Sequence, residues 1–94
     1  MFTKFSKVAL KKDLPEFGVK SGDVGVIVEI HPGVSGQEGV TLEFFNAVGE
    51  TIAVPTVKES EIETLTSNEV LHVRRYSTEE VTEPPIQYKT SRKK

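Results

Sequence analysis

The chain's two histidines, His31 and His72, would need to converge with carboxylates to bind a metal. Their spacing matches no zinc signature, and the absence of cysteine excludes thiolate ligands, disulfides and cysteine nucleophiles. No metal and no cofactor is expected. A second candidate group is the alternating carboxylates Glu59, Glu61 and Glu63 in "KESEIETL". On a strand these would share one face, with Ile62 opposite. Such a face suits a basic partner or a divalent ion, although a run of this kind is more often a solvated acidic surface.

The glycines carry less chemistry than their density suggests. "FGVKSGDVG" lacks the GxxxxGK[ST] spacing and the following helix that phosphate binding requires. "GVSGQEG" has the wrong spacing for a dinucleotide site and is flanked by strands. No serine sits in a GxSxG elbow, since "GVSGQ" lacks the last glycine. Without a nucleophile or an acid–base set, the chain is expected to be non-enzymatic.

What remains are binding surfaces. Phe17 lies within a long Pro/Gly-rich loop, where an aromatic side chain is a candidate partner contact. The chain has no Trp and no "ALYDY"-type run, which argues against proline-peptide binding. Basic residues cluster at Lys11 and Lys12, at Arg74 and Arg75, and at Arg92, Lys93 and Lys94. If the first and last strands lie together, these clusters form one basic edge able to contact nucleic-acid phosphates. The charge layout opposes that use. Residues 1–12 carry four lysines and no acid, residues 13–69 carry eleven acids against Lys20 and Lys58, and residues 70–94 carry six bases and three acids. An acidic middle repels phosphate.

At 94 residues the chain is expected to form one domain, spanning 1–76. "KVALKKDL" reads as a first strand, with Val8 and Leu10 on one face. "DLPEFGVKSGD" reads as an irregular corner shaped by Pro15, Gly18 and Gly22. "DVGVIVEI" is the clearest strand, with Val24, Val26, Val28 and Ile30 on one face and Gly25, Ile27 and Glu29 on the other. Gly25 inside it marks a bulge, a bend or a close backbone approach. After the loop "HPGVSGQEG", the strand "VTLEFFN" places Val40, Leu42 and Phe44 inward and Thr41, Glu43 and Phe45 outward.

"NAVGE" turns into the return strand "TIAVPTV", where Pro55 requires an edge or a bulge. "KESEIETL" reads as one 3₁₀ turn followed by a short strand at Ile62–Leu65. "SNEVLHVRRY" is read as a final strand, with a helix capped at Ser67 or Asn68 as the other possibility. From Ser77 to Lys94 the few apolar residues and the Pro84–Pro85 pair predict a disordered, basic-ended tail. The sum is an all-β fold: a small antiparallel barrel of five to six short strands, because closure removes the edges an open sheet would expose.

The order strand, long Pro/Gly loop, "GDVGVIVEI", "VTLEFF", return strand, 3₁₀ turn and last strand resembles an SH3-like barrel. "DLPEFGVKSGDVGVIVEI", "GVTLEFFNAVGETIAVPTV" and "EVLHVRR" together resemble a small bacterial family, the domain-of-unknown-function 4926 family, over roughly residues 7–75. The resemblance implies the fold and no catalytic residues. Similar small proteins look like partners encoded beside toxin-like genes. The expected function is therefore a protein-binding module of the bacterial cytoplasm, an antitoxin-type inhibitor or partner of a toxin-like protein, using Phe17, Glu59, Glu61 and Glu63. A KOW-like nucleic-acid-binding domain and a small structural subunit of a larger complex are the alternatives. No membrane association is expected: no apolar run approaches the roughly 18 residues of a membrane helix, and no signal-peptide core is present.

Overall fold

The structure is a computed structural model that describes residues 2–33 and 37–76. The expected tail from Ser77 lies outside the described residues, as do Arg92, Lys93 and Lys94. Six antiparallel strands form one sheet: β1 (Lys7–Leu10), β2 (Val24–His31), β3 (Gly39–Phe45), β4 (Thr51–Ala53), β5 (Thr56–Lys58) and β6 (Ile62–Thr64). The order is β4-β3-β2-β1-β6, with β5 continuing along the same side of β3 as β4. The described residues also include two 3₁₀ turns, Pro15–Phe17 and Glu59–Glu61.

The connection from β5 to β6 requires this sheet to close. β5 lies on one edge and β6 on the other. Flat, four strand spacings would separate them by about 19 Å. The chain from Lys58 to Ile62 has four Cα steps, which reach at most about 14 Å even when extended, and a 3₁₀ turn shortens it further. The sheet therefore curls until its edges meet. The turn is tied to both sides: Glu59 N–H donates to Glu38 O (3.1 Å) beside β3, and Lys11 N–H donates to Glu61 O (2.8 Å) after β1. This arrangement is compatible with an SH3-like barrel.

The barrel encloses Val8, Leu10, Leu14, Val19, Ile27, Val40, Leu42, Phe44, Ala53, Val57 and Ile62. β3 follows its alternation, with Val40, Leu42 and Phe44 buried and Phe45 exposed. β2 does not follow a single alternation. Gly25 and Ile27 face inward, and the register to β3 then slips between Ile27 and Glu29. The extra residue, Val28, reverses the parity, so that Ile30 rather than Glu29 turns towards the core and pairs with Val40. The expected single face of Val24, Val26, Val28 and Ile30 is thus broken at the bulge.

Gly25 itself serves a close approach. A Cβ there would lie 3.0 Å from the Phe44 ring, one of the largest fully buried side chains. The return strand is interrupted at Val54–Pro55, on the sheet edge as its proline requires, and Pro55 O still accepts Leu42 N–H (2.9 Å).

Residues 67–76 form neither the expected strand nor the alternative helix. β1 already has β2 and β6 on its two edges. A turn at Thr66–Glu69, with Glu69 N–H on Thr66 O and Thr66 N–H on the Glu69 carboxylate, takes the chain away from the sheet. Val70, Leu71 and Val73 consequently stay exposed, at 90%, 66% and 80%.

Gly25→Val forces the Phe44 ring off its position. It should destabilise the fold by about 1–3 kcal/mol, as overpacked cores do, read as a lower denaturant midpoint with an unchanged slope.

Candidate functional site: a strapped apolar groove

Residues 65–76 cross the outside of the barrel as a strap. Between it and the barrel lies a groove of about 920 Å³. Its floor includes Ala9 and Val24, which pair across β1 and β2, and Glu63, which pairs with Ala9 from β6. Ala9 is buried without belonging to the core cluster, so β1 is covered on both faces. The hairpin residues Phe45 and Val48 form one wall, 44% and 79% exposed. The strap's Val70, Leu71 and Val73 form the other. Most of the large exposed hydrophobic side chains of the described residues therefore gather at one place. Such clustering marks an interaction surface more strongly than scattered apolar residues do.

The far end of the strap is latched to the corner between β1 and β2. Arg74 Nε donates to Asp23 Oδ1 (3.0 Å), and Nη2 donates to Asp23 Oδ2 and to the Gly18 carbonyl (3.1 Å). This is a two-pronged guanidinium–carboxylate pair, among the stronger side-chain hydrogen-bond geometries. The bonds to Asp23 are the main cause raising the Arg74 pKa, aided by the charges of Asp23 and Asp13 and opposed by partial burial. Two residues on, the Tyr76 hydroxyl lies 3.2 Å from Phe17 O and 3.3 Å from Ile52 O, sharing its single proton between them.

The corner that receives the latch is internally braced. Leu14 and Val19 form a bridge, with Leu14 N–H on Val19 O (2.8 Å), and both are buried. Gly18 closes the 3₁₀ turn at φ 76°, a left-handed value that glycine adopts freely. Asp13 accepts Ser21 N–H (2.9 Å), and Asp23 accepts Lys20 N–H (2.8 Å).

Phe17 is half-buried and packs against the core. Glu59, Glu61 and Glu63 do not share a strand face: the first two lie in the 3₁₀ turn and only Glu63 is on β6. Glu61 is engaged within the fold. Its Oε1 accepts Lys58 N–H (3.0 Å), capping the turn, and its Oε2 accepts Lys12 Nζ (3.2 Å). The Lys58 N–H first, and the Lys12 ammonium after it, hold the Glu61 carboxyl below its ordinary pKa, against the effect of partial burial.

The expected basic edge is divided. Lys12 pairs with Glu61 at the 3₁₀ turn and Arg74 pairs with Asp23 at the head of β2, leaving Lys11 and Arg75 as the other described members of that set. His31 Nε2 hydrogen-bonds Thr41 Oγ1 (2.9 Å), while His72 lines the groove. No three His, Asp or Glu side chains among the described residues could jointly hold a metal. No helix of the described residues is long and apolar enough to cross a membrane.

Sequence reasoning missed the groove and the latch. Outward-facing Phe45 was the available signal for the first. Arg74 and Asp23, 51 positions apart, gave none for the second.

Tyr76→Phe removes the hydroxyl and should lower stability by about 1 kcal/mol, measured by denaturant unfolding. Glu61 has a depressed folded-state pKa, so its contribution is complete above the ordinary carboxylate pKa of about 4.3 and is lost as pH falls through the lower folded value. Glu61→Gln should melt below wild type near neutral pH, and the gap should narrow in acid.

A family match, to the domain of unknown function DUF4926, covers residues 4–64, well over half of the chain. It ends with β6, so the strap that carries "EVLHVRR" lies beyond it and the resemblance is shorter at that end than the sequence suggested. No curated protein and no solved structure matches the chain significantly. The barrel from Lys4 to Thr64 is the matched unit, and on that match the chain belongs to the DUF4926 family.

Proposed function

We propose that the protein is a non-enzymatic protein-binding module whose partner docks in the strapped groove. The observation that carries this reading is the convergence of exposed Phe45, Val48, Val70, Leu71 and Val73 on one groove. The charges around it narrow the partner's chemistry. Asp23, Glu63 and Glu69 line the groove against one arginine, Arg74, which is already paired with Asp23. An apolar segment flanked by lysine or arginine complements that lining. Of the earlier candidates, Glu63 lines this groove, whereas Phe17 packs against the core and Glu61 is engaged with Lys58 and Lys12.

The class of partner is a toxin-like protein, with this chain as its antitoxin-type inhibitor in the bacterial cytoplasm. That part of the reading comes from the family resemblance. Nucleic-acid binding is disfavoured, since Lys12 and Arg74 are each paired to an acid.

The test compares capture of host proteins by the wild type and by Val48→Asp/Leu71→Asp, whose altered side chains are 79% and 66% exposed and should leave melting unchanged. A genuine partner is retained by the wild type and lost at least about tenfold by the variant, the scale expected when an apolar anchor is replaced by a charge. Equal retention by both proteins overturns the groove as the docking site.

A further inference from the structure

The corner between β1 and β2 is a receptor for a guanidinium group, and the chain fills it with its own arginine. Asp23 is fixed independently of the strap: its backbone carbonyl accepts Leu10 N–H (2.9 Å), its N–H donates to Lys20 O (2.9 Å), and its carboxylate is oriented by Lys20 N–H (2.8 Å). The Gly18 carbonyl is set by the left-handed turn at that residue. Asp13, held by Ser21 N–H, adds negative charge nearby. All of these groups lie within the family-matched barrel, whereas Arg74 lies outside it.

The strap that delivers Arg74 is lightly held. It has no strand pairing, and Val70, Leu71 and Val73 leave most of their surface in water. Apolar burial therefore contributes little to its docking, and the fork at Asp23 carries a large share.

We propose that Asp23 and the Gly18 carbonyl form an arginine-recognition site, occupied in cis by Arg74, and that a protein partner in the groove places an arginine of its own there and displaces Arg74. The proposal rests on the groove being a docking site, and it names the partner's anchor: an extended segment with two or three apolar side chains followed by arginine, the chemistry of the strap itself.

The probe is a labelled, end-blocked peptide copying residues 69–76, EVLHVRRY, added to the full-length protein and read by fluorescence polarisation. Arg74→Gln vacates the site and should bind the peptide at least about tenfold more tightly than wild type does, because the internal competitor is gone. Adding Asp23→Asn should abolish that gain. A peptide with glutamine in place of its first arginine should bind Arg74→Gln at least about tenfold more weakly than the native peptide, since the two-pronged pair cannot form.

Equal peptide binding by wild type and Arg74→Gln, or equal binding of the two peptides, overturns the proposal. Amide NMR spectra establish that the variants are folded. Arg74→Lys, which keeps the charge but not the planar fork, is the second variant and should fall between wild type and Arg74→Gln; binding no tighter than wild type counts against the site. Peptide binding that depends on Asp23 supports the site even where host-protein capture does not depend on Val48 and Leu71. The converse pattern overturns the site and leaves the docking face.

Discussion

The constraint on which the rest of this structure depends is the shortness of the link between β5 and β6. Three residues, Glu59–Glu61, join strands on opposite edges of the sheet. No flat arrangement satisfies that link, so the sheet closes, and closing creates the inner face on which Val8, Leu10, Ile27, Val40, Leu42 and Phe44 meet. The energetics follow the geometry. A chain this short has a small core, and burial there is efficient because aliphatic side chains from all sides of the barrel share one interior. Glu61 reinforces the link by capping the turn and pairing with Lys12, which joins the start of the corner to the end of the barrel.

Closure also explains the local departures from regular strands. Gly25 lets the Phe44 ring lie against the β2 backbone. The bulge at Val28 lets β2 bend while keeping Ile30 inward and Glu29 in water. The second slip, opposite Phe44 and Phe45, puts its extra residue, Ile52, on β4 near the hairpin. Bulges bend a strand and increase its twist, and this barrel places one on its longest strand, β2, and one on β4 beside the hairpin.

The corner at residues 11–23 links fold to function. Its inward side chains, Leu14 and Val19, belong to the core. Its outward polar groups, Asp13, Asp23 and the Gly18 carbonyl, face Arg74 from the strap. The same turns that carry the chain around the barrel fix an array of oxygen acceptors. The glycines of this loop thus serve geometry first, and the site they produce suits a guanidinium rather than a phosphate.

Much of the barrel was legible in the residues alone. The alternation in "VTLEFFN" determined which side chains of β3 face inward, because a strand's period of two needs no information from elsewhere in the chain. "KESEIETL" likewise placed a 3₁₀ turn and a strand that the structure shows at Glu59–Glu61 and Ile62–Thr64. Tertiary structure decided what depends on distant partners. The bulge at Val28 answers to β3, and the side of Phe17 answers to the core. "EVLHVRRY" has the alternation of a strand, yet both edges of β1 are occupied and the chain turns away at Thr66. Arg74 reads as one cation among several until folding sets it on Asp23. Local periodicity determines how a segment presents its side chains, and only the closed barrel determines which edge or acceptor remains for them to meet.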